Sequence, residues 1–127
     1  IAVWLIMRNR ELLIGIQIPK DDRVALQNIL NKMPYLEKIG HIRTEVIGAD
    51  SYDIQIEIEF DEEKLANDLN IDLEKVYSEI DSLAEFKAYS VKLAADAMRK
   101  MTERIDAMEK EIKAEIPETK FIDIEPN

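Results

Sequence analysis

LEKIGHIRTEVIGADSYDIQIEIEF, residues 36–60, is the stretch on which the fold turns. On both sides of Gly48-Ala49-Asp50-Ser51 the side chains alternate in character. Ile42, Thr44 and Val46 share one parity before the break, and Ile54, Ile56, Ile58 and Phe60 share one after it. A period of two puts successive side chains on opposite faces of an extended chain, so two strands are predicted over 36–47 and 52–60, each with one apolar and one polar face. Gly48 and Asp50 are residues that accept positive φ, which makes the four-residue break an antiparallel hairpin.

Upstream, after Gly15 and Pro19, Asp21 and Asp22 are placed to cap a helix over 23–32, whose apolar stripe is Val24, Leu26, Ile29, Leu30 and Met33; Pro34 ends it. Downstream, 61–69 and 72–82 read as two short helices joined at Asn70. A long helix follows over 83–116, in which Val91, Ala94, Met98, Met101, Ile105, Met108 and Ile112 recur at alternating spacings of three and four. Such a seam packs on a sheet or on another helix. At 1.5 Å per residue this helix is about 50 Å long, more than a small sheet needs, so part of it projects or pairs. Met98, Met101 and Met108 are read as core rather than as a soft-metal stripe. Asp106/Lys110 and Glu109/Lys113 are expected to pair on the exposed side. Pro117 stops the helix, and 121–125 alternates again as a last strand with Ile122 and Ile124 inward.

The order is α-β-β-(extra helices)-α-β. That predicts an α+β, open ferredoxin-like domain over 19–127, with a three-stranded sheet covered by helices on one face and the extra helices inserted before the long second helix.

Composition narrows the function. With 127 residues and 46% apolar content the chain can build one core. It has no cysteine, which excludes disulfides and thiolate metal or redox sites. A net charge of −10 repels phosphate backbones, so nucleic acid is not an expected partner and cations are. No stretch approaches the roughly 20 apolar residues of a membrane-spanning helix. Residues 1–7, IAVWLIM, nevertheless run straight into Arg8 and Arg10. They read either as a buried helix turn or as the last turns of a transmembrane helix whose arginines lie on the cytoplasmic side. In the second reading 1–18 is helix end plus linker.

The polar parity of the hairpin gathers chemistry. His41 falls opposite Glu57 or Glu59, depending on turn length, and Arg43 opposite Gln55 or Glu57. Asp123 and Glu125 join this face if Ile122 and Ile124 point to the core. One imidazole with oxygen ligands suits manganese, calcium, magnesium or weakly held zinc; the competing reading is a solvated face that keeps the sheet soluble. No enzyme is expected, because nothing supplies a nucleophile, a pocket or a glycine-rich phosphate loop, and only three glycines are present.

Three stretches carry a family resemblance: RNRELLIG at the junction, IEIEFD closing the second strand, and the run from Leu83 through RIDAMEKEIKAEIPETKFIDIE. With the α-β-β-α-β order and the inserted helices, the chain resembles the C-terminal domain of the cation diffusion facilitators, in the branch that includes zinc transporter 9. The resemblance implies a homodimeric, proton-coupled efflux transporter of zinc-like divalent metals, whose transport site lies on membrane helices outside this chain. This domain would stand on the cytoplasmic side, dimerising and regulating export next to its own transmembrane domain. Carried over by position, the family's soluble-domain metal ligands fall on Gly40 and His41, on Glu57, and on Asp123 and Glu125. His41, Glu57, Asp123 and Glu125 are therefore the candidate ligands for zinc or manganese. Only His41 keeps an imidazole, where the family often has Asp. The alternative is a stand-alone regulatory or adaptor domain that pairs through its long helix.

Overall fold

The computed structural model describes residues 17–127. Its elements are α1 (Lys20–Asn31), β1 (Leu36–Gly48), β2 (Ser51–Phe60), α2 (Glu62–Asp68), α3 (Leu73–Glu79), α4 (Leu83–Glu115) and β3 (Thr119–Pro126). The sheet order is β1-β2-β3, with β1 and β2 antiparallel and β2 and β3 parallel. This is the expected open α-β-β-α-β arrangement with two extra short helices before the long one. The apolar run 1–7 and most of the 1–18 segment lie outside the described residues.

Period-two alternation is what places the core. Along β2, Tyr52, Ile54, Ile56, Ile58 and Phe60 are buried, whereas Gln55, Glu57 and Glu59 are exposed. Ile42 and Thr44 of β1 and Ile124 of β3 join the buried side. Leu26, Ile29 and Leu30 of α1 and Met108 and Ile112 of α4 close over it. The parallel β2–β3 pairing requires a crossover, and α4 supplies it from the covered side.

Local chemistry explains the joints. The hairpin closes on a Gly48–Ser51 pair, leaving Ala49 and Asp50 as a two-residue turn with Asp50 at φ 52°. Asp rather than Gly takes the left-handed position, which its short polar side chain tolerates. Asn70 does the same at φ 51° between α2 and α3. Asp61, Asp72 and Ser82 cap the next three helices by accepting from the backbone N–H of Lys64, Lys75 and Glu85. Ser82 and Glu85 form a reciprocal capping box.

Three expectations need correction. Asp21 and Asp22 do not cap α1, which starts one turn earlier behind Pro19; Asp22 instead accepts a 2.9 Å hydrogen bond from the Tyr52 hydroxyl. Met98 is not core but 69% exposed. The ion pairs along α4 among the described residues are Lys92–Asp96, Arg99–Asp96, Arg99–Glu103 and Lys100–Glu103, in place of the pairs expected at 106/110 and 109/113.

Candidate functional site

The open face of the sheet carries the residues singled out from sequence. Ile39 pairs with Ile58 and Ile42 with Ile56, so Gly40 and His41 together oppose the single residue Glu57. Two residues against one is a β-bulge, a device that re-aims side chains. The turn-length alternatives are thereby resolved: His41 faces Glu57 and Arg43 faces Gln55, although the turn itself has two residues. Gly40 leaves room for Glu57 across the bulge. A Cβ there would lie 3.3 Å from the Glu57 Cβ and 3.4 Å from its Oε2, a tight contact that Glu57 would have to relieve by a few tenths of an ångström.

The parallel register brings the last strand alongside, with Gln55 beside Asp123 and Glu57 beside Glu125. His41, Arg43, Gln55, Glu57, Asp123 and Glu125 line a shallow depression of about 60 Å³. Lys38 pairs with Glu59 at 3.9 Å and Arg43 with Glu45 at 3.7 Å. Glu57, Asp123 and Glu125 take part in no ion pair among the described residues. All four candidate ligands are thus on one face and around one hollow. Even so, no group of three His, Cys, Asp or Glu side chains among the described residues is disposed to hold a metal ion. The hollow gathers three carboxylates, one imidazole and the Arg43 guanidinium without forming a coordination cage, and this donor set does not fit a tightly bound metal.

A second surface was only partly visible in the sequence. The amino-terminal half of α4 runs past the sheet, with Leu83, Phe86, Val91 and Met98 each more than half exposed. Beside it, Leu73, Val76, Tyr77 and Ile80 of α3 and its end form with Phe86 and Tyr89 an open apolar cleft of about 580 Å³. The Tyr89 hydroxyl is buried there without a hydrogen-bond partner. Leu65, Ala66 and Leu69 of α2 with Leu93, Ala94 and Ala97 of α4 line another hollow of about 390 Å³.

One polar clamp fixes α2 to α4. Arg104 donates to Asp68, through Nε at 2.9 Å, while its guanidinium lies 5.0 Å from the centroid of the Tyr35 ring. Tyr35 in turn stacks on Phe60 at 6.2 Å. The hydrogen bond from Arg104 holds the Asp68 carboxyl below its ordinary range. Burial pushes the Tyr35 hydroxyl up. Burial, aided by the bond to Asp22, pushes Tyr52 to about 12.

Comparison with known proteins adds one informative likeness. No protein-family model matches the chain, and no solved structure matches it. The chain is similar to the mitochondrial proton-coupled zinc antiporter SLC30A9 of Xenopus laevis, at 23% identity over 131 residues. That alignment takes in 98% of this chain but 23% of the antiporter, so the chain spans about a quarter of that relative's length. The relative is a transporter rather than an enzyme. No helix among the described residues is long and apolar enough to cross a membrane.

Proposed function

We propose that this chain is the extramembrane domain of a proton-coupled divalent-cation efflux carrier, lying on the cytoplasmic side, where it self-associates and regulates export. The observation that carries the reading is the nearly end-to-end alignment with a zinc antiporter. The architecture agrees with a supporting role: a small sheet with one covered face, an open face that carries Glu57, Asp123 and Glu125, and a long crossover helix. Transport itself belongs to membrane helices elsewhere in the protein.

In this reading His41, Glu57, Asp123 and Glu125 gather zinc or manganese loosely near the carrier. Fewer charged ligands and a less rigid arrangement weaken the binding of hard divalent cations, so weak affinity is expected here. Calorimetric titration of the chain with each metal, with the melting temperature followed in parallel, is the direct check. Weak saturable binding that disappears in an Asp123→Ala, Glu125→Ala variant supports a metal-responsive domain. Absence of binding at millimolar metal makes the domain a scaffold only. The carrier reading itself is tested in cells expressing the full-length protein. Loss of zinc and manganese export on deletion of 19–127 supports it, and unchanged export contradicts it.

A further inference from the structure

The strict three-four seam of α4 runs from Val91 to Ile112, yet the body of the domain uses only its second half. Met108 and Ile112 are fully buried, and Met101 and Ile105 pack against the core. Val91, Ala94 and Met98 continue the same stripe past the sheet, with Ala94 at the edge of the hollow beside α2 and the two large side chains left open: Val91 is 72% exposed and Met98 69%. Six of the nine large apolar side chains exposed among the described residues fall within 73–98: Leu73, Tyr77, Leu83, Phe86, Val91 and Met98. Four of these, Leu83, Phe86, Val91 and Met98, lie on α4 itself, and Leu73 and Tyr77 lie on α3 beside it.

We infer that the projecting half of α4 is a self-association arm that pairs with the same segment of a second copy. This rests on the reading above that the domain self-associates, and it names the surface. Charge argues for the arm and against the rest of the molecule. Residues 83–98, the projecting half, carry two basic and two acidic side chains, a net of zero, within a chain whose total is −10, so the remainder carries all −10. Two copies meeting through their bodies would bring like charges together, whereas two arms meet without that cost.

Spacing argues for a helix as the occupant. A seam at threes and fours is complementary to another seam of the same period. An antiparallel two-fold arrangement centred between Ala94 and Ala95 sets Val91 of each arm against Met98 of the other, with the small alanines allowing close approach at the axis. A lipid surface is the less suitable partner. Lys92 and Arg99 are already paired with Asp96, and Arg99 and Lys100 with Glu103, which leaves no continuous basic strip beside the apolar one.

The chain has no cysteine, so a single introduced thiol reports proximity without background. The experiment oxidises Ala94→Cys and, as control, Gln55→Cys with glutathione disulfide, and follows the wild type and a Val91→Glu, Met98→Glu variant by sedimentation across concentration. Expected are a disulfide-linked dimer for Ala94→Cys and none for Gln55→Cys. The charged variant should weaken self-association by about 100-fold or more, since each copy would bury two unpaired carboxylates. Circular dichroism on the charged variant verifies that it is folded, and Val91→Ser, Met98→Ser serves as the milder replacement if it is not. A wild-type dimer that both arm variants leave intact, with no Ala94→Cys crosslink, overturns the arm while leaving self-association standing. A wild type that stays monomeric at high concentration overturns both. A monomer that floats with phosphatidylcholine–phosphatidylserine vesicles through Val91 and Met98 assigns the arm to lipid and overturns the pairing.

Discussion

The two halves of α4 are written in the same pattern and live in different surroundings. From Met101 to Ile112 the seam lies over the sheet, with Met108 and Ile112 fully buried. From Leu83 to Met98 the same kind of seam faces outward, beside the two short helices. Periodicity records that a stripe will be covered but not by what: covering by the chain's own sheet and covering by a partner leave the same mark in sequence. Only the length mismatch, a 33-residue helix of about 50 Å against strands of 8 to 13 residues, separates the halves.

Substitutions can break or sharpen that contrast. Ile112→Ala in the packed half should cost about 3 kcal/mol, the usual result of opening a cavity in a closed core, read from chemical denaturation. A pH titration of stability probes the same packed side. The Tyr52 phenol binds its proton more tightly folded than unfolded, because its pKa rises from 10.0 to about 12. Its contribution is present in full below pH 10 and is lost as the pH rises through 12. The loss of melting temperature over that window should be smaller in Tyr52→Phe, with Tyr35, whose hydroxyl is also pushed up by burial, supplying part of what remains.

In the projecting half, Ser82→Ala removes the capping box and should cost about 1 kcal/mol. It should appear mainly as faster amide exchange in the first turns of α4, without loosening the sheet. Smallest of all, Val91→Ser with Met98→Ser should change unfolding free energy in dilute solution by less than about 0.5 kcal/mol, since neither side chain is buried there.

Most of the fold was legible because its signals are local. Alternation in 36–60 identified both strands and their buried parity, Pro34 and Pro117 marked ends, and Asn70 was found at its joint. The start of α1 was misread because acidic residues in a first turn resemble caps, and only the contact of Asp22 with Tyr52, thirty residues away, tells them apart. Parity also brought His41, Glu57, Asp123 and Glu125 to one face. The bulge at Gly40 and His41 was not legible, since two-against-one pairing is settled by the partner strand. Nor was the absence of a three-ligand cage, which depends on side-chain directions that strand parity leaves open. Met98 was placed in the core because its spacing is identical to that of Met108.

The most direct test of this contrast is hydrogen exchange along α4 at increasing protein concentration. Amides of 101–112 should be protected at every concentration, and those of 84–98 should exchange rapidly when dilute and slow as concentration rises. Exchange at 84–98 that is independent of concentration would contradict it.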